Sequence, residues 1–288
     1  MIKKIVPIFG AILLIIIVFS IWLFMPPSIP ESVLPDSADA VERGKYLVYA
    51  GGCIGCHKGM EDGDTLAGGR ILESDFGKFY VPNITPDKET GIGNWTGSDF
   101  IRALKHGRRP DGGFYFPAFP YRSYAGLTDS DVLDMAAYLM TLPAVRSDVP
   151  DHELVYWLFP WMMAGWNVMA DLMQKKPVPV SDPVLARGAY LVRHLGHCGE
   201  CHTPRNKLGI PVSGDELAGA VMGEQVIEAI DVHALNGWTR EDVKMLLLLG
   251  MKPDGEFVGG EMADVIDHNT SHLTDDDRAA IAAYLKSE

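Results

Sequence analysis

All four cysteines of this 288-residue chain fall in two copies of one pattern, Cys53-x-x-Cys56-His57 and Cys198-x-x-Cys201-His202. Cysteines spaced i, i+3 stand one helical turn apart on one face, and a histidine follows at once. That order is the attachment signature of a c-type haem. Two thiols add to the two vinyl groups of the porphyrin, and the adjacent imidazole is held under the iron as an axial ligand. A redox C-x-x-C accounts for a cysteine pair, but not for His57 and His202 in the same place twice. A four-Cys zinc site separates its pairs by roughly 12–20 residues, whereas these pairs lie 145 apart. The expectation is two covalently bound haem c groups, with thioether bonds from Cys53, Cys56, Cys198 and Cys201 and iron ligation by His57 and His202.

The elements that position these motifs are themselves duplicated. Arg43-Gly44-Lys45-Tyr46-Leu47-Val48 matches Arg187-Gly188-Ala189-Tyr190-Leu191-Val192, Trp95-Thr96 matches Trp238-Thr239, and Pro110-Asp111-Gly112 matches Pro253-Asp254-Gly255. Leu127-Thr128-Asp129 and Ala137-Tyr138-Leu139 recur as Leu273-Thr274-Asp275 and Ala283-Tyr284-Leu285. Each copy reads as helices between Gly- and Pro-rich loops, with little period-two alternation. Gly44, Leu47, Val48 and Gly51 share a helix face, and Thr96/Asp99, Thr239/Asp242, Thr128/Asp131 and Thr274/Asp277 have capping-box spacing. The fold expected is therefore mostly α, with one domain over residues 40–145, a linker over 146–181 and a second domain over 182–288.

Both copies resemble class I cytochrome c domains, and the whole resembles the membrane-anchored dihaem cytochromes c related to the cytochrome subunits of bacterial periplasmic alcohol and gluconate dehydrogenases. The residues that carry this are Ala186-Arg187-Gly188-Ala189-Tyr190-Leu191 leading into Gly196-His197-Cys198-Gly199-Glu200-Cys201-His202-Thr203-Pro204-Arg205-Asn206. Pro82-Asn83-Ile84-Thr85-Pro86-Asp87 before Gly91-Ile92-Gly93-Asn94-Trp95, and Tyr115-Phe116-Pro117-Ala118-Phe119-Pro120-Tyr121, carry it too. The resemblance implies an electron carrier rather than an enzyme. It implies a periplasmic dehydrogenase as donor and a soluble cytochrome c, an oxidase or the quinone pool as acceptor. It also places the sixth ligand of the second haem iron at Met262, seven residues on from Gly255; a Met there raises the potential. The same count from Gly112 reaches Phe119, which cannot bind iron. For the first haem this leaves Met135, Met140, Met162, Met163, Met169 or His106 as ligands, or an open iron. The rival reading is a haem enzyme acting on a small inorganic or peroxide substrate at that open iron.

Ile5 to Met25 forms an uncharged run after Lys3 and Lys4, long enough as a helix for a hydrocarbon core of about 30 Å. It lacks the small-residue cleavage site of a signal peptide. The expectation is an uncleaved transmembrane anchor over residues 1–30, giving single-pass insertion in the inner membrane with both haem domains in the periplasm. Leu154 to Met173 is rich in Trp, Phe and Met but is interrupted by Pro160, Asn167 and Asp171. It reads as an amphipathic connector between the domains or as a docking surface. A net charge of −13 disfavours nucleic acid, whose phosphates need clustered Lys and Arg. Residues 40–145 carry 11 basic and 13 acidic side chains and residues 182–288 carry 9 and 18, so the second half is the expected dock for a basic partner.

Overall fold

The computed structural model describes residues 13–15, 17–59, 65–223 and 225–287, and about 44% of the chain is helical. In the first half, α1 (Ala38–Ala50) leads through a two-residue turn into α2 (Cys53–His57), followed by α3 (Gly97–His106), α4 (Tyr121–Tyr124) and α5 (Asp129–Leu139). The connecting helix α6 (Met163–Met173) comes next. In the second half α7 (Pro183–Tyr190) passes through a π-helical turn, Leu191–Leu195, into α8 (Gly199–His202). Helices α9 (Arg240–Leu249), α10 (Gly260–His268) and α11 (Asp275–Leu285) complete it, with a 3-10 turn, Thr270–His272, before α11.

The repeated Arg-Gly-x-Tyr is explained by helix crossing. Helix α1 packs on α5 and α7 on α11. A Cβ on Gly44 would stand 1.8 Å from the Asp134 carbonyl oxygen, and one on Gly188 would stand 2.1 Å from that of Ala280. No side chain fits between backbones this close, so glycine is required at both crossings. The preceding arginines clamp the same helix pairs: Arg43 Nε lies 2.7 Å from Asp134, and Arg187 Nη2 lies 2.7 Å from Asp277.

Helix starts follow the sequence signals, with one instructive difference. Thr96/Asp99 and Thr239/Asp242 form complete capping boxes. Thr128 and Thr274 cap α5 and α11 in the same way through the backbone N–H of Asp131 and Asp277, but those two carboxylates, Asp277 while also held by Arg187, accept from a tyrosine of the other half. Tyr46 Oη donates to Asp277 Oδ2 at 2.5 Å, and Tyr190 Oη donates to Asp131 Oδ2. Tyr46 corresponds to Tyr190 in the repeat, and Asp131 to Asp277, so the contact is reciprocal: each half offers the other the same tyrosine and the same helix-starting aspartate.

One residue is added to the second copy just before its motif. The repeat is offset by 144 at Tyr46 and Tyr190, but by 145 at Cys53 and Cys198. In the first half Gly51 N–H donates to the Leu47 carbonyl, whereas in the second Gly196 N–H donates to the Leu191 carbonyl, both at 2.7 Å. The added residue is absorbed as a π turn inside the helix, the usual fate of a single insertion that must leave both helix ends in place.

One continuous core joins the halves, including Leu47, Val48 and Val132 from the first and Val192, Leu195 and Val243 from the second. A second cluster packs Phe79, Phe114 and Phe116 with Met163, Trp166 and Ala170 of α6 and with Ile210. Trp166 Nε1 donates to the Leu208 carbonyl at 2.8 Å and Tyr121 Oη donates to Asn167 at 2.7 Å, so α6 is bonded to both halves. Among the described residues the sheets are small: a hairpin after the first motif, β1 (Ile71–Ser74) and β2 (Gly77–Tyr80), to which β3 (Glu153–Leu154) of the connecting segment adds a third strand, and a hairpin after the second motif, β4 (Ala220–Met222) and β5 (Gln225–Ile227). Strands of two to four residues leave almost no alternation to read.

The transmembrane anchor is corrected. Helix is described over residues 13–24 except residue 16; residues 5–12 of the Ile5–Met25 run lie outside the described residues. Among the described residues no helix is long and apolar enough to cross a membrane. The C-terminal end of the run is held by the first half: Phe24 meets the Phe114 ring edge-on at 6.0 Å, and Arg108 donates to the Leu23 and Met25 carbonyls. Single-pass insertion in the inner membrane is not supported.

Gly188→Ala tests the helix crossing. It should lower unfolding stability by about 1–3 kcal/mol in urea denaturation, and unchanged stability would show that α7 and α11 do not approach so closely.

Candidate cofactor-attachment site

The chain reaches its first motif through a glycine turn. Helix α1 ends at Ala50, Gly52 adopts φ 68°, and α2 begins at Cys53. This short helix sets Cys53 and Cys56 one turn apart with His57 next. His57 Nδ1 lies 2.8 Å from the Pro82 carbonyl oxygen, and His202 Nδ1 lies 2.7 Å from that of Glu228. In both halves a carbonyl about 25 residues downstream accepts a hydrogen bond from Nδ1–H and fixes the tautomer, which leaves Nε2 with its lone pair. Burial pulls the His57 ring down to about 4 against the opposing pull of the Pro82 carbonyl, and it lowers His202 as well. Both imidazoles are therefore neutral near pH 7, the form that ligates a metal.

The thiols are equally informative. Burial pushes Cys53 and Cys198 up to about 12, and Cys56 and Cys201 also move up. Redox-active C-x-x-C cysteines need the opposite, a thiolate held low by nearby positive charge. Among the described residues, no three or more His, Cys, Asp or Glu side chains gather to hold a metal ion. Two neutral thiols on one helical turn followed by an oriented imidazole fit a covalently attached haem, in both halves.

Each motif is bordered by the other half. Arg70 donates to the Gly55 carbonyl inside the first motif at 2.6 Å and to Glu261 Oε2 of α10 at 2.5 Å. Lys58 lies 3.4 Å from Asp264 on the same helix. Reciprocally, Ser123 of α4 donates to Glu200 within the second motif at 2.5 Å.

Met262 lies half-buried in the first turn of α10, between the two carboxylates that pair with Arg70 and Lys58. Phe119, its counterpart, is half-buried with its ring 5.4 Å from Tyr115 and 5.8 Å from Tyr124. Met135 is buried in the main core and Met163 in the α6 cluster, where Met162 and Met169 also pack; Met140 borders the main core, and His106 is exposed. Sequence reasoning missed Arg70 and the carbonyls of Pro82 and Glu228. Backbone carbonyls carry no residue-type signal, although their matching distance beyond each histidine follows from the repeat.

The cytochrome c family pattern matches residues 41–143. The chain is 41% identical over 291 residues to the diheme cytochrome c-type protein of Cereibacter sphaeroides, covering 96% of this chain and 95% of that one. The chain belongs to the cytochrome c family. This cytochrome is also 38% identical over 262 residues to the gluconate 2-dehydrogenase cytochrome c subunit of Pantoea cypripedii, and 37% identical over 265 residues to the alcohol dehydrogenase (quinone) cytochrome c subunit of Gluconobacter oxydans. Each match covers 86% of this chain, but only 59% and 54% of those relatives. Haem c is the cofactor of the family, and one-electron transfer is its work.

Arg70→Ala should loosen α10 from the first motif. Amide exchange across Gly260–His268 should speed up several-fold while α9 is unaffected; equal protection in both proteins would contradict the bridge.

Proposed function

We propose that this cytochrome carries two haem c groups, one in a domain over residues 40–145 and one in a domain over 182–288, and passes electrons singly from a dehydrogenase to a respiratory acceptor. Cys53 and Cys56 with His57 hold the first group, and Cys198 and Cys201 with His202 hold the second. Met262 is the distal ligand in the second half. When bound, haem c supplies an Fe(III)/Fe(II) couple; the polypeptide supplies ligands, burial and orientation. The observation that carries this reading is the paired arrangement of two buried thiols and an Nδ1-anchored imidazole, present twice.

The partner follows from the relatives, two of which are named as cytochrome c subunits of dehydrogenases. A dehydrogenase that oxidises a small organic substrate is the donor, and a soluble cytochrome c, an oxidase or the quinone pool is the acceptor. Because Phe119 stands where the second half has Met262, the two irons differ in distal ligation and hence in potential.

Redox titration of the purified cytochrome, followed in its visible bands, tests this. Haem assay should give two groups per chain, and the titration two resolved midpoints. Met262→Ala should lower one midpoint and leave the other in place, with a new carbon monoxide complex in the reduced protein. One haem per chain refutes the dihaem reading; unchanged midpoints in the variant refute Met262 as a ligand.

A further inference from the structure

The turns that deliver the two motifs abut. Gly51-Gly52 precedes Cys53, and Gly196-His197 precedes Cys198. A Cβ on Gly51 would meet Leu195 Cδ1 at 3.4 Å, and one on Gly196 would meet the Ala50 carbonyl oxygen at 3.9 Å. The central residues face one another: a Cβ on Gly52 would stand 3.8 Å from His197 Nε2 and 3.1 Å from Asn269 Nδ2.

Corresponding positions in the two turns thus hold glycine on one side and histidine on the other. Both adopt the left-handed conformation, Gly52 at φ 68° and His197 at φ 40°. For glycine this is free, whereas a residue with a Cβ brings that atom too close to the following carbonyl oxygen. Among the described non-glycine residues only His197 and Leu217 have positive φ. Glycine at position 197 would remove that strain, so the imidazole is retained against a local cost. Its half-buried ring stands edge-on to Tyr124, with centroids 5.3 Å apart and planes at 80°. Tyr124 Oη donates to the Gly51 carbonyl at 3.1 Å, and the same carbonyl acts on the His197 ring against the burial that lowers its pKa.

We propose that His197 is a positioning residue for electron exchange between the two haems, its imidazole bridging the backbone before Cys198 to the backbone before Cys53. The inference rests on the dihaem reading above. The route is short: His197 is bonded directly to Cys198, its ring meets the Gly51-Gly52 turn, and Gly52 is bonded directly to Cys53. Tunnelling falls off more steeply across a gap than along bonds, so an imidazole that fills the gap raises the rate. In the step one iron passes from Fe(II) to Fe(III) and the other from Fe(III) to Fe(II); one electron moves and no proton or further reactant is needed. A Cβ at position 52 would press on the Asn269 side chain and come into van der Waals contact with His197, so one side chain already fills the space between the turns.

The test uses the full-length, haem-loaded protein. A pulse of radiolytically generated methyl viologen radical injects one electron, and the concentration-independent redistribution between the two haems is followed. His197→Gly keeps the left-handed turn and matches Gly52; redistribution should slow at least tenfold, with two haems and both midpoints retained. His197→Asn, which tolerates the same backbone but is too short to span the gap, should slow it comparably and serves if the glycine variant loads poorly. An unchanged rate in a fully loaded variant overturns the proposal. So does slowing accompanied by midpoint shifts that account for it, which would assign His197 a merely structural role. Fewer than two haems in the unsubstituted protein instead refutes the dihaem reading, and the bridge with it.

Discussion

The contact between the turns Gly51-Gly52 and Gly196-His197 is the constraint on which the rest depends. It sets the segments that lead into the two attachment motifs against each other, and each motif is bordered partly by the opposite half. Arg70 and Lys58 reach α10, Ser123 reaches Glu200, and Tyr46 and Tyr190 reach each other's aspartates. A chain that merely tethered two independent carriers would need none of these bonds. The shared core, running from Leu47 and Val48 to Val192 and Leu195, makes the spacing of the motifs a property of the folded state rather than of a linker.

Rigidity of that spacing suits the chemistry. An electron carrier needs its cofactors held at a fixed separation and its ligands oriented before the electron arrives, because any reorganisation adds to the barrier. The Nδ1 contacts of His57 and His202 with backbone carbonyls, the crossings at Gly44 and Gly188, and the docking of α6 on both halves all serve that end. Asymmetry enters at few places: Phe119 against Met262, Gly52 against His197, and the π turn at Leu191–Leu195. Each lies on or beside a segment that borders a motif, so the duplicated scaffold has diverged next to its two Cys-x-x-Cys-His sequences.

Much of this was legible in the sequence because the decisive signals are local. Cysteine spacing names the cofactor, Thr/Asp pairs mark helix starts, and the helix face formed by Gly44, Leu47, Val48 and Gly51 is buried as its period implies. What was not legible depends on the third dimension. Asp131 and Asp277 look like ordinary capping-box residues, and their diversion to the opposite half could not be read from spacing. The π turn left a trace, the change of repeat offset from 144 to 145, but only the backbone shows how the extra residue is stored. The hairpins are too short to imprint alternation. The apolar run of Ile5–Met25 misled because length and hydropathy measure what a helix could span; its described part is short and ends docked against Phe114 and Arg108.

Anomalous diffraction at the iron edge, from crystals of the purified protein, addresses the arrangement most directly. Two iron peaks per chain are expected, one beside His57 Nε2 and one beside His202 Nε2, on either side of the contact between Gly52 and His197. A single peak, or iron bound away from those imidazoles, would contradict it.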